Sequence, residues 1–281
     1  MADEPSQLIT LGDGVTIWTT MTGSGTPVVC CHGGPGLWDY LGPLASLIDD
    51  ASTVIRFDQR GCGRSTETGS PFTIDQAVDD LDQLRAALGF ERWAVLGHSW
   101  GAELAIRYAG KHPDRSTAVV YIAGVGAGDG FREAFAAEYQ RRLGDDLDRW
   151  RTLRERTRTA AEEREFCLLQ WRPDFSPGPD AAAHAEAMWR TRPPGVEVNL
   201  RANRELSADR ATEDLHVVAG RVTSPVTMLF GADDPRPWRA SDSLFAELPD
   251  ARRVVLPHAG HSPWVEQPAE CRELVRTALD G

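Results

Sequence analysis

The sequence predicts an α/β protein: a doubly wound, mostly parallel sheet covered by helices on both faces and interrupted by one helical insertion. Three observations carry that expectation. Short, continuously apolar runs at 27–31, 93–96, 117–122 and 226–230 have the composition of parallel strands buried on both faces. Amphipathic stretches alternate with them, as at 74–88, where Ile74, Ala77, Val78, Leu81, Leu84 and Leu88 recur at helical spacing. Between residues 125 and 222 that rhythm stops, and arginine-dense helical patterns run until strands resume after Ser224.

Taken in order, residues 6–11 and 15–21 read as two strands split by Gly12-Asp13-Gly14, a hairpin signal. The run Pro27-Val28-Val29-Cys30-Cys31 enters His32-Gly33-Gly34-Pro35-Gly36, a loop whose glycines permit close approach of backbone. A short helix is expected at 41–48 and a strand at 53–57. The turn Asp58-Gln59-Arg60-Gly61-Cys62-Gly63-Arg64-Ser65 follows, with Asp58 and Arg60 read as a structural ion pair. The helix at 74–88 stops at Gly89. A strand at 93–96, a sharp turn, a helix to 111 and a strand at 117–122 come next. The glycine run 124–130 fits a dinucleotide fingerprint poorly and reads as a hinge. Helices are expected at 131–143, 146–157, 160–171 and 181–189. They carry Trp150, Trp171 and Trp189, read as the core of the insertion, with a roof over an apolar substrate pocket as the alternative. A strand at 226–230, a helix at 238–248, a strand at 252–256 and a helix at 269–279 complete eight strands. The implied division is core 1–124, helical cap 125–222, core 223–281.

Composition narrows the function. With 281 residues, 41% of them hydrophobic, the chain can bury one large core plus an insertion. The net charge of −12 and a single lysine, Lys111, speak against nucleic acid or an anionic membrane as partner. The acidic start Met1-Ala2-Asp3-Glu4-Pro5 lacks a signal-peptide core, and five cysteines include the strand pair Cys30-Cys31. Both features point to a cytoplasmic protein with reduced thiols. No Cys/His spacing suits a metal, and no metal or other cofactor is expected.

The chemistry centres on Ala94-Val95-Leu96-Gly97-His98-Ser99-Trp100-Gly101-Ala102. A serine in a strained strand-to-helix turn crowds the backbone two positions either side, so Gly97 and Gly101 must lack a Cβ. The turn lifts the hydroxyl off the sheet and aims the helix N-terminus at the reacting centre. The N–H groups of Gly34 and Trp100 are the candidate oxyanion donors. Acyl transfer by serine also needs a base and a carboxylate to orient it, both in loops at the carboxyl ends of strands. Asp234, with Asp233 as its rival, follows one strand. His261, with His258 as its rival, follows the next. His98 is expected on the floor of the site.

These segments together, with Gly231-Ala232-Asp233-Asp234 and Gly260-His261, resemble the α/β-hydrolases, in particular their proline iminopeptidase-like branch. The resemblance implies an eight-stranded sheet, a helical cap, Ser99 as nucleophile, His261 as base, Asp234 as its orienter, and cap glutamates that bind a free amino terminus. Glu186, Glu197 and Glu205 are candidates for that last role by location, with Trp189 nearby in sequence. The expected activity is cleavage of an amide or ester bond in a small-molecule or short-peptide substrate through an acyl-enzyme. An aminopeptidase is the first form and an esterase or lactonase the second; a ligand-binding module that kept the scaffold without turnover is the third.

Overall fold

A computed structural model describes residues 5–128, 130–209 and 211–280. Its eight strands are β1 Ser6–Thr10, β2 Thr16–Thr22, β3 Thr26–Cys31, β4 Ser52–Phe57, β5 Trp93–His98, β6 Ser116–Ile122, β7 Val226–Gly231 and β8 Ala251–Leu256. They form one sheet in the order β1-β2-β4-β3-β5-β6-β7-β8. β2 pairs antiparallel with β1 and β4, and every later pairing is parallel.

Alternation along the buried strands assigns the two faces. Val28, Cys30, Leu96 and Val120 pack on one side with α1 (Gly42–Ala45) and α12 (Pro268–Asp280). Val29, Cys31, Val95 and Val119 face the other, against α2 (Ile74–Ala87) and α3 (Trp100–Lys111). Thr73 caps α2, its side chain accepting from Gln76 N, and Gly89 leaves the helix at φ 77°.

Among the described residues six α-helices lie between β6 and β7: α4 Arg132–Leu143, α5 Leu147–Arg154, α6 Ala160–Trp171, α7 Ala181–Trp189, α8 Leu200–Ala208 and α9 Leu215–Ala219. The last two have no counterpart in the periodicity reading. α8 begins where the Asn199 side chain accepts from Ala202 N, a cap that a Val-Asn-Leu context hides. Trp150 joins Tyr139 and Leu143 in a cluster internal to the insertion, while Trp171 packs into the sheet's own core beside Trp38. After β7 come α10 Asp242–Glu247 and, after β8, α11 Pro263–Glu266. The helix expected at 238–248 is split, because its first turn is a 3₁₀ segment at Trp238–Ser241. The helix expected at 41–48 is a single α turn.

Two other expectations change. Asp58 and Arg60 do not pair with each other: Asp58 binds Arg64 at 2.6 Å, and Arg60 binds Asp80 at 2.5 Å and Asp13 at 2.7 Å. The first half of the glycine run is fixed rather than hinge-like. Gly124 O accepts from Ser241 Oγ, Gly126 N donates to Tyr121 Oη, and a Cβ on Gly124 would lie 2.2 Å from the Tyr121 ring. Asp129 of that run lies outside the described residues.

The order of strands reverses between β3 and β5, whose last pairing is Cys31 with Gly97. In an open α/β sheet the crevice forms beyond the carboxyl ends at such a reversal. The His32–Gly36 loop leaves β3 there and the Ser99 turn leaves β5.

Candidate active site

Ser99 sits at φ 57°, ψ −119° between β5 and α3, a conformation that costs an L-residue of order 1–3 kcal/mol and persists only where the surroundings impose it. Here they do. A Cβ on Gly97 would fall 2.0 Å from Gly101 O, and one on Gly101 would fall 2.1 Å from Cys31 O. Ser99 N donates to Ile122 O at 2.8 Å, pinning the turn to β6.

Gly33 lies directly against the serine: a Cβ there would be 2.9 Å from Ser99 Cβ and 3.0 Å from His98 O. Its N–H is occupied, donating to Tyr40 Oη at 2.8 Å. Gly34, at φ 132°, precedes a cis bond to Pro35. Among the described residues neither the Gly34 nor the Trp100 N–H donates a hydrogen bond. Both amides therefore remain available to an incoming oxyanion.

Asp234 and His261 are brought together from the ends of β7 and β8. His261 Nδ1 lies 2.6 Å from Asp234 Oδ2, with both side chains under one-tenth exposed. Opposite a carboxylate, Nδ1 is the donor, which leaves Nε2 of the neutral ring as the free acceptor. Burial pushes the Asp234 carboxyl up, but His261 and then Arg236 outweigh it and hold the group below its ordinary value. Ser99 Oγ itself makes no hydrogen bond among the described residues, and such contacts commonly tighten only with substrate.

The rivals fall away. Asp233 accepts from Ser176 Oγ at 2.8 Å, and His258 is exposed. His98 packs against His261, their ring centroids 4.6 Å apart. It is 1% exposed, with Nε2 2.9 Å from His261 O and Nδ1 2.6 Å from Tyr40 Oη. A carbonyl only accepts, so Nε2 carries the proton and Tyr40 donates to Nδ1. Burial, reinforced by His261, holds the His98 ring well below the usual histidine range.

The proposed cap acids are engaged elsewhere or face outward. Glu186 is paired with Arg164 and Arg190. Glu205 accepts from Phe72 N at 2.9 Å, because α8 uses it to hold the loop before α2. Glu197 is exposed. Trp189 is half-buried, with its ring 6.3 Å from Trp171 and the Arg192 guanidinium 4.2 Å above it. Sequence reasoning missed Tyr40, Asp174 and Arg236. Asp174 O accepts from His261 N at 2.7 Å, and the Asp174 carboxylate binds Arg236 at 2.7 Å. Only Arg236, two residues after the acid, left a local signal. No three metal-ligating side chains converge among the described residues, and none of their helices is long and apolar enough to cross a membrane.

Fold and site together define a hydrolase of the α/β class. Residues 26–268 match the alpha/beta hydrolase fold family, and the chain belongs to it. A probable proline iminopeptidase of Streptomyces coelicolor is 38% identical over 130 residues, 43% of this chain and 40% of that protein. The proline iminopeptidase of Saccharolobus solfataricus is 36% identical over 48% of this chain and 43% of its own. The chain thus aligns with about two-fifths of these relatives. A putative carbamate hydrolase of Cronobacter turicensis matches at 30% identity over 91% of both chains. Among solved structures, a proline iminopeptidase of Mycobacterium smegmatis superposes with TM-score 0.73 at 24% identity, covering 98% of each chain. An E-2-(acetamidomethylene)succinate hydrolase gives 0.76 at 22%, covering 99% of each. At such identities these two likenesses speak for the fold.

Proposed function

We propose that this chain is a serine hydrolase that cleaves small amide or ester substrates through an acyl-enzyme, with Ser99 as nucleophile, His261 as base and Asp234 as its orienter. The observation that carries the reading is a buried Asp234–His261 pair packed on His98, the residue before a strained Ser99, with the Gly34 and Trp100 amides unpartnered among the described residues. In the forward step His261 Nε2 takes the Ser99 proton as Oγ attacks the carbonyl. The oxyanion forms between the Gly34 and Trp100 N–H groups, each contributing about 3–4 kcal/mol of transition-state stabilisation. His261 then gives the proton to the leaving group, and water repeats the sequence to release the acid. The segment 125–222 serves as the cap over this site.

Of the substrate classes, neutral acyl esters, lactones or amides fit best, because Glu186 is ion-paired, Glu205 holds a backbone N–H and Glu197 is exposed. None is left as a buried partner for an ammonium group. An aminopeptidase acting on proline-like amino termini is the second reading, supported by the partial similarity to proline iminopeptidases.

A fluorophosphonate probe tests the first claim. It labels the chain at Ser99, and Ser99→Ala abolishes labelling and lowers turnover by roughly 10⁶-fold. Retention of more than a few per cent of activity in that variant, or failure of the folded chain to label, refutes it. Short acyl p-nitrophenyl esters assayed beside proline p-nitroanilide then separate the two substrate readings.

A further inference from the structure

The insertion reaches the base loop at one place, residues 173–176. Asp174 O accepts from His261 N at 2.7 Å. Ser176 Oγ donates to Asp233 and Ser176 N to Glu266, whose other oxygen accepts from Gly260 N. A Cβ on Gly260 would lie 2.2 Å from Asp174 O. Arg142 of α4 donates to the carbonyls of Pro173 and Phe175.

Within this seam lies a chain of alternating charge. Asp174 Oδ1 binds Arg236 Nη1 at 2.7 Å, Arg236 Nη1 reaches Asp234 Oδ1 at 3.3 Å, and Arg236 N donates to the same oxygen at 2.8 Å. Asp234 Oδ2 then meets His261. All four side chains are at most 18% exposed, so solvent screens them weakly. The Phe135 ring of α4 lies 4.4 Å from the Arg236 guanidinium carbon.

We propose that Asp174 and Arg236 are positioning residues that extend the Asp234–His261 pair, so that the insertion both fixes the base and balances the charge behind it. The inference rests on the serine hydrolase reading. Asp174 neutralises Arg236, which otherwise leans wholly on Asp234 and weakens its hold on the imidazolium formed during attack. The other groups around the pair do not supply this balance. His98, Tyr40 and Tyr139 are kept neutral by burial. Asp233 and Glu266 are bonded to Ser176, and Arg142 is bonded to carbonyls.

The test is the pH profile of fluorophosphonate labelling at Ser99 in the full chain, with thermal unfolding followed in parallel. In Asp174→Asn the unbalanced cation destabilises the imidazolium, and the midpoint falls by about one pH unit. In Arg236→Met the cation is gone and the midpoint rises by a similar step. The double variant, with both charges removed, returns to the wild-type midpoint. Arg236→Lys keeps the charge and with it the midpoint, and Arg236→Gln, which also removes the charge, carries the sign of the rise if Arg236→Met does not fold. A purely structural pair lowers the plateau and leaves every midpoint in place; that result, or shifts of the same sign in Asp174→Asn and Arg236→Met, overturns the proposal. An unmodified chain that does not label overturns the reading of Ser99 and this proposal with it. Labelling with unshifted variants overturns the charge-balancing role alone.

Discussion

Removing one hydroxyl should unsettle both sides of the reacting centre. Tyr40 Oη accepts from Gly33 N at 2.8 Å and donates to His98 Nδ1 at 2.6 Å, and His98 Nε2 in turn donates to His261 O at 2.9 Å. Each proton in this chain has one placement, so Tyr40 links the loop beside Ser99, the residue before Ser99 and the backbone of the base. Tyr40→Phe keeps the ring and orphans two buried groups, the Gly33 N–H and His98 Nδ1. At about 1–3 kcal/mol for each unsatisfied partner, the expected loss is roughly 2–6 kcal/mol, a large share of the ~5–15 kcal/mol that holds a domain together. Tyr121→Phe is the internal standard, since its hydroxyl accepts from Gly126 N away from the site. That change orphans one backbone donor and should cost about half as much. Urea titration of both variants gives the comparison, and the rate of Ser99 labelling reports whether the Gly33 loop has loosened. If Tyr40→Phe unfolds within about 0.5 kcal/mol of wild type, the size of an ordinary surface change, the chain of protons inferred here is wrong.

Glycine positions give a second contrast. Gly101→Ala, whose Cβ would meet Cys31 O at 2.1 Å, should yield no folded protein, whereas Gly89→Ala, at φ 77° in open space, should cost about 1–2 kcal/mol of backbone strain alone. Equal unfolding midpoints for the two would refute the steric account of the turn. Acidification gives a third. Burial holds His32 and His98 below the usual histidine range, so the unfolded chain binds protons on these rings first. Their stabilisation is present above the unfolded value near ~6.5 and is lost as pH falls below it, by up to about 1.4 kcal/mol per ring per pH unit. Urea midpoints between pH 7.5 and 5.5 should therefore fall, and a profile as steep in His32→Asn as in wild type would remove His32 from that account.

The parts legible in the sequence share one property: they are set by local sterics or by period. Gly97, Ser99 and Gly101 announce their turn because a Cβ at either glycine collides with backbone of the same turn or of the adjacent strand end. The strands announce themselves because both faces are buried. Asp234 and His261 follow from where strands end. The remainder depends on contacts between segments far apart in the chain. Asp174 stands 60 residues before Asp234 and 87 before His261, and nothing in its Arg-Pro-Asp-Phe context marks it as a partner of either. Two of the acids assigned to the cap have partners of the same distant kind, Arg164 for Glu186 beside its neighbour Arg190, and Phe72 N for Glu205. α8 escaped notice because its capping residue and several of its polar side chains serve the loops beneath it rather than solvent. Asn199 Nδ2 donates to Gly61 O and Asn203 Nδ2 to Pro35 O.

Those two asparagines change what the insertion can be. It touches the core at the base loop through Asp174 and Ser176, and at the oxyanion loop through Asn199 N, which donates to Gly36 O, and Asn203. The two anchors come from different helical connections, one between α6 and α7 and the other between α7 and α8. A rigid lifting of the whole insertion would break both at once, releasing the His261 backbone and the Pro35–Gly36 backbone from their ties. Motion that leaves the reacting groups in place must therefore spare residues 171–212, where Trp171, Thr191, Glu205, Asp209 and Thr212 also hold the insertion to the core. α5 suits this best, because Trp150 packs within the insertion's own cluster with Tyr139 and Leu143. The insertion is thus tied to the core through its second half, and α5 in its first half is the stretch that these ties leave out.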